Sequence, residues 1–319
     1  MTPVTFTKRC VLCTLVLLGV VSCGKRNAEP PDEPAMDAEL RLFQQGIKTV
    51  QDRYVDADRV HLEMIISNSI RGMVASVDPY ATMLYTGEST DPSVPRDVPL
   101  VELNDSDHLA ITVLKIHGFH PLMKKQLRAL ESRARARQPS AVLIDARGAS
   151  GLDYSAALEV AAWLLPRGTV VGSVVEEQGR ETRTLATRRQ PLWPASPVVV
   201  LIDRETFGPS EWLAGALQFH RRARLVGEIT RGIGVIQSPV PISDSWTVML
   251  TTGRVQYPNA TDQTGSPLIP DVPAEPSSDN KENVDWLFQR GLELLRDGLI
   301  NVSDHAVLRP HYEPTNYRL

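Results

Sequence analysis

Cysteine is almost missing from this chain of 319 residues: only Cys10, Cys13 and Cys23 occur, all within the first two dozen positions. The rest of the chain can therefore build neither an internal disulfide nor a cysteine-ligated metal site, and a cysteine nucleophile is excluded there. Positive charge is not in excess either. Lys and Arg number 34 against 38 Asp and Glu, a net charge of −4, which leaves no basic footprint for a phosphate backbone, so nucleic acid is not an expected partner. Aromatic residues make up only 6%, and no apolar run approaches the roughly 18 to 20 residues that a membrane-spanning helix needs. What is present is ordinary for a globular chain, 42% hydrophobic and 23% charged. At about 100 to 200 residues per domain, the length allows a large core and one small satellite.

The first residues read as a targeting segment. Lys8 and Arg9 precede the apolar run Cys10 to Val21, too short to span a bilayer, so residues 1–22 are expected to be a secretory signal peptide. Val20-Val21-Ser22-Cys23-Gly24 resembles the bacterial lipobox, which implies a lipid on Cys23. Acyl chains contribute about 0.8 kcal/mol per buried CH₂, enough to hold a multiply acylated cysteine on a membrane. Gly24 follows the cysteine where retention at the inner membrane usually has Asp, which favours the outer membrane, facing the periplasm. Residues 23–37, polar and proline-rich, are expected to form a tether.

In residues 38–85 the apolar positions Leu40, Phe43, Ile47, Val50 and Leu62, Ile65, Ile66, Ile70, Met73, Val74 recur at three and four, predicting two helices joined near Tyr54-Val55-Asp56. The stretch TGESTDPSVPRDVP from Thr86 carries three prolines, so residues 86–107 read as a linker. From 108 to 275 strands and helices alternate. Strands are expected at Leu109–Ile116, Ser140–Ile144, Thr169–Val175, Pro197–Ile202 and Arg224–Gly227, with helices at His120–Ala136, Ala156–Leu165 and Glu211–Ala223. The fold class is α/β, without repeats.

Several of these segments, in order along the chain, resemble the tail-specific or carboxyl-terminal processing serine proteases. They are Tyr54-Val55-Asp56, Ile70-Arg71-Gly72-Met73, Val77-Asp78-Pro79-Tyr80, Val142-Leu143-Ile144-Asp145-Ala146-Arg147, Pro209-Ser210-Glu211 with Ala214-Gly215-Ala216-Leu217, and Leu225-Val226-Gly227-Glu228 with Gly232, Gly234 and Gln237. Leu250 to Arg254, Pro270-Asp271-Val272 and a closing helix from Asp285 to Leu295 complete the match. The resemblance implies a crotonase-like α/β core, a helical N-terminal segment, and a C-terminal helix and tail over residues 276–319.

The same resemblance marks what is missing. The family's serine nucleophile falls at Gly208 and its lysine base at Ile233; glycine and isoleucine supply neither an oxygen nucleophile nor an amine. No lysine occurs between Lys125 and Lys281, so no shift of register restores the pair. A third polar family position falls at Phe219. The family's Pro-Gly-Gly oxyanion turn reads Ser150-Gly151-Leu152; Leu152 lacks glycine's freedom, and Gly151 is left as one donor. About 25 residues separate Tyr80 from the first core strand, too few for the PDZ domain the family usually carries there, so the linker stands in its place.

Other residues offer substitutes. Ser210 is the fallback nucleophile, but His220 lies ten residues further along the same predicted helix, about 15 Å away. Ser210 reads more simply as that helix's cap, with Glu211 in its first turn, and His220 as a surface residue beside Arg221 and Arg222. Asp145 with Arg147 reads as a structural pair, and Asp203, Glu205 and Glu228 as loop carboxylates or, alternatively, an acid pair. His117 and His120 have no further ligands nearby, so neither a metal nor a cofactor is expected. The expected function is binding or regulation by an inactive protease-like lipoprotein of the bacterial envelope. Its partner would be a protein or peptide, an active family protease among the candidates, and oligomers are compatible with this. The alternatives are a peptidase or hydrolase using Ser210, and a relic without function.

Overall fold

The structure, a computed structural model, describes residues 33–85, 99–105, 110–176, 181–259, 262–273 and 285–300. The signal segment, Cys23 and most of the tether lie outside them. The chain divides into two units, Met1–Ser69 and Ile70–Leu319. The first holds helix α1 (Glu33–Arg53), a single 3₁₀ turn (Ala57–Arg59) and the first half of α2 (Leu62–Val77). The helical period of the apolar residues is thus realised, and α1 extends back into the last residues of the expected tether. Yet Leu40, Phe43, Val50, Leu62 and Met64 are all exposed, so the apolar stripes are not covered.

The second unit runs through the end of α2, β1 (Thr82–Tyr85), β2 (Val101–Asp105), β3 (Ile111–Ile116), β4 (Gly118–Phe119), α3 (Met123–Ala136), β5 (Ala141–Asp145) and β6 (Ser150–Gly151). It continues with α4 (Tyr154–Leu164), β7 (Val170–Glu176), β8 (Glu181–Ala186), β9 (Val198–Ile202), α5 (Pro209–Phe219) and β10 (Arg224–Gly227). The last elements are β11 (Val235–Pro241), β12 (Trp246–Gln256), β13 (Val272–Pro273) and α6 (Trp286–Ile300).

Six strands form one sheet in the order β13-β10-β9-β5-β3-β2, parallel except for β2. Its central strands are short β-branched runs buried on both faces, as parallel strands under helices are. Along β5 and β9 the two faces separate residue by residue. Val142, Ile144, Val198, Val200 and Ile202 enter the larger core with α4 and α5. Leu143, Val199 and Leu201 pack under Leu287, Leu292 and Leu295 of α6. The second sheet, β1-β12-β7-β8 with β11 on β12, is antiparallel. The α/β core with a helical N-terminal segment and a C-terminal helix is as expected.

Two boundaries are corrected. The expected linker 86–107 contains strand β2, paired with β3 from Val101↔Ile116 to Asp105↔Thr112. The expected all-helical segment 38–85 ends in strand β1, paired with β12. Both strands are short and gain their hydrogen bonds from partners that local propensity does not reveal. Asp78 fixes the approach to β1: its carboxylate accepts from Tyr80 N at 3.0 Å and from Thr251 N at 2.8 Å.

Candidate functional site

Helix α5 opens on Gly208, whose φ of 65° and ψ of −127° lie outside the regions open to side-chain-bearing residues. Pro209 follows at the first helical position, where its missing N–H costs nothing. This sharp entry aims residue 208 at two other segments. The Gly208 amide donates to the Ile233 carbonyl at 3.1 Å. A Cβ added at Gly208 would stand 3.1 Å from the Gly151 carbonyl oxygen and 3.9 Å from the Tyr154 hydroxyl. Gly208, Ile233 and Gly151, distant in sequence, therefore meet at one place.

None of the three carries a hydroxyl, thiol, amine or carboxylate side chain. Residue 208 has no side chain, and its amide is spent on Ile233. The turn at Gly151 presents its carbonyl to residue 208. Its φ of 139° and the close approach of the Phe119 carbonyl permit only glycine there. The Leu152 and Asp153 amides both donate to that same Phe119 carbonyl, at 3.2 and 3.3 Å. Tyr154 donates to the Val235 carbonyl at 3.3 Å, and burial pushes its phenol far above the ordinary value, so it stays protonated and cannot serve as a base.

The carboxylate of the site is Glu211, which sequence reasoning placed only in the first helical turn. It is fully buried on the face of α5 that Gly208 begins, one turn further on. Its Oε1 accepts from the Gly232 amide at 2.7 Å and from the Thr230 hydroxyl. Its Oε2 accepts from the Ile233 amide at 3.1 Å and from Gln263 Nε2 at 2.9 Å. Burial pushes the Glu211 carboxyl above the usual range, and these four neutral donors only partly offset that. Both oxygens are committed to holding the 230–233 turn. The available signal was an acid directly before the apolar run from Trp212 to Leu217, three residues after Gly208.

Several expectations about side chains change. Ser210 is not the cap of α5; Gly208 holds that place and Ser210 lies inside the first turn. It is fully buried, with Oγ 2.5 Å from the Ala149 carbonyl and 2.9 Å from that of Phe207. Carbonyl oxygens hold its proton but cannot remove it, and among the described residues no base is bonded to this fallback nucleophile. Phe219 is not brought to Gly208 and Ile233. It sits half exposed at the other end of α5, about 16 Å along the axis, its ring edge-on to His220. His220, expected at the surface, is half-buried, and its neighbour Arg222 is buried. His220 Nε2 meets the Val170 carbonyl at 2.7 Å, and Arg222 is buried, donating to the Leu164 and Trp193 carbonyls.

The structural readings of the other groups agree with the geometry. Asp145 accepts from Lys115 Nζ at 2.7 Å and from Arg147 Nε at 2.8 Å, while Arg147 also reaches both carboxylate oxygens of Asp285 at 2.6 Å. Burial pushes the Asp145 carboxyl up, but these two cations outweigh it and hold it below the ordinary range. Asp203 braces its loop by accepting from the Gly148 amide at 3.0 Å and the Thr206 hydroxyl at 2.8 Å. Glu228 faces Arg204 at 3.5 Å, and His117 pairs with Glu102 at 2.8 Å. Among the described residues no group of three or more His, Cys, Asp or Glu is placed to hold a metal. Nor is any helix among them long and apolar enough to cross a membrane.

Comparison with known proteins places this geometry. The model of Peptidase family S41 matches residues 110–274, more than half of the chain. The chain is similar to the carboxyl-terminal-processing protease of Synechocystis sp., 33% identical over 165 residues that cover 49% of this chain and 37% of that protein. It is also similar to the chloroplastic C-terminal processing peptidase of Tetradesmus obliquus, 36% identical over 135 residues that cover 42% of this chain and 29% of that one. The matched part thus spans only about a third of the length of these relatives. In fold alone it is similar to the solved structure of a lipoprotein from Streptococcus agalactiae, with a TM-score of 0.58, 12% identity, and coverage of 81% of this chain and 88% of that one.

Proposed function

The chain belongs to peptidase family S41, and we propose that within it this chain does not hydrolyse peptides but binds them, as a binding or regulatory subunit. The observation that carries the proposal is the contact between the Gly208 amide and the Ile233 carbonyl at 3.1 Å. The two positions that the sequence resemblance gives to nucleophile and base stand together in the fold, and neither carries a hydroxyl or an amine. A Ser-Lys pair needs both groups, because the amine must take the proton as the oxygen attacks. The carbonyl that Gly151 turns toward residue 208 would repel a developing oxyanion.

The partner we propose is a protein or peptide, an active protease of this family among the candidates. The uncovered apolar residues of α1 and α2, Leu40, Phe43 and Val50 with Leu62 and Met64, support a protein contact through the N-terminal unit. A lipid on Cys23 would place the protein on the periplasmic face of the outer membrane; the lipobox-like Ser22-Cys23 and the apolar run before it support this placement.

The test exposes the protein to a fluorophosphonate serine-hydrolase probe and to an unfolded protein substrate, with intact mass read for both. Silence from a folded sample is expected. Labelling or cleavage that disappears in Ser210→Ala would overturn the proposal and establish a peptidase with a displaced nucleophile. Cross-linking in the envelope then identifies the partner.

A further inference from the structure

Helix α3 packs on the larger core through Met123, Leu127 and Ala134 and turns its opposite side outward. Residues four and seven apart share a helix face, so Lys124, Arg128 and Arg135 form one stripe along that outward side, with Lys125 beside it. Arg189 binds Glu131 of α3 at 2.8 Å and also Glu159 of α4, which brings Arg188 and Arg189 to the same surface.

Six cations here meet three carboxylates, Glu131, Glu159 and Asp153. Glu131 also accepts from Arg135 at 2.9 Å, and Asp153 stands 3.8 Å from Lys124. Lys125, Arg128 and Arg188 are exposed and have no carboxylate partner among the described residues. The chain as a whole carries −4, so the positive excess is segregated on this surface. It does nothing for the helix itself. Lys124 and Lys125 occupy the first turn of α3, where the helix dipole disfavours cations, and that turn contains no acid.

The same surface carries apolar side chains in the open. Leu122, immediately before α3, is 55% exposed, and Leu152, just before α4, is 39% exposed. The Leu152 amide donates to the Phe119 carbonyl at 3.2 Å, and Lys124 Nζ donates to Ser155 Oγ at 2.8 Å. These bonds set the starts of the two helices, with their leucines, side by side.

Unpaired cations on long side chains, with leucines exposed among them, match a surface that is anionic outside and apolar just beneath. An acidic polypeptide would answer the charges but leave the leucines in water. We propose that this face, from Leu122 and Leu152 to Arg188, rests on anionic phospholipid headgroups, its cations near the phosphates and its two leucines in the interface. Three unpaired cations, at roughly fivefold each, strengthen such a contact about a hundredfold. The inference is independent of the binding role proposed above and holds with or without a lipid on Cys23.

The full chain is reconstituted with phosphatidylcholine vesicles or with vesicles that also contain phosphatidylglycerol. A water-soluble amine-acylating reagent is added, and modification of each lysine is read by peptide mass spectrometry. Acylation of Lys125 should fall about tenfold with the anionic vesicles and recover at high salt, while Lys115, on the other side of the sheet, stays the same. The double variant Arg128→Glu, Arg188→Glu, both exposed positions, should lose that protection with its circular dichroism unchanged. Leu122→Asp should weaken it as well. Equal acylation of Lys125 in both vesicles would overturn the proposal, as would protection that survives the double variant. Protection by polyglutamate as strong as that by the anionic vesicles, and indifferent to Leu122→Asp, would overturn it in favour of an acidic polypeptide.

Discussion

Asp145 and Glu211 are both carboxylates sunk into the same core, one at the end of β5 and the other in the first turn of α5, and they are stabilised in opposite ways. Asp145 is surrounded by cations, Lys115 and Arg147, which hold its carboxyl below the usual range despite burial. Glu211 has four neutral donors and no cation, and burial pushes its carboxyl up. The difference separates scaffold from site. The charged network around Asp145 ties β5 to the start of α6 through Asp285 and is complete. Around Glu211 the backbone of the turn is held in place, and residue 233 in that turn is an isoleucine.

The largest expected effect comes from breaking the complete network. Arg147→Met strands Asp145 without its main partner, and removal of one member of a buried pair costs about 3 to 5 kcal/mol, readable as a fall in the urea midpoint. Glu211→Gln is expected to cost less, about 2 kcal/mol, because the amide group cannot accept from the two donors that one carboxylate oxygen now serves. If it cost nothing, the bonds to the Gly232 and Ile233 amides would not be holding the turn.

The comparison sharpens with pH. Asp145 titrates below its unfolded value in the folded protein, so its contribution is present above about pH 4 and is lost as pH falls through the folded value. Glu211 titrates above its unfolded value, so its contribution is fully present below about pH 4 and is lost as pH rises through the folded value. Urea midpoints from pH 3 to 7 should therefore show Asp145→Asn flattening the acid limb and Glu211→Gln flattening the opposing slope above it. Slopes that change in the same sense for both variants would contradict the assignment. Gly208→Ser places a side chain at a φ of 65° with its Cβ 3.1 Å from the Gly151 carbonyl, and should cost about 1 to 2 kcal/mol without creating hydrolysis. Smallest of all, Ser210→Ala should cost about 1 kcal/mol and leave any activity measured in the intact protein unchanged.

What could be read from the sequence follows the range of the forces involved. The runs that became β3, β5, β9 and β10 are apolar enough to declare burial on their own, and the helical periods before residue 78 declare two helices. The family resemblance rests on the order of short motifs, which chain connectivity preserves. β2 escaped notice because its five residues, Val-Glu-Leu-Asn-Asp, are short and half polar beside a proline-rich stretch, and β1 because its partner lies far along the chain. β1 joins β12, more than 160 residues later. Arg222 is buried although Arg seldom is, and the Leu164 and Trp193 carbonyls that it bonds explain why it is here.

The sequence by itself determined the α/β class, the order of the main core strands and helices and the absence of serine and lysine at positions 208 and 233, since these depend on composition, period and identity. Only the tertiary structure decided that Gly208 touches Ile233, that Glu211 braces the 230–233 turn, that Phe219 stands a helix length away, and that Arg222 is buried on the Leu164 and Trp193 carbonyls. Each of these is a distance between residues far apart in sequence or at opposite ends of a helix, set by how the sheets and helices pack rather than by any local preference of the chain.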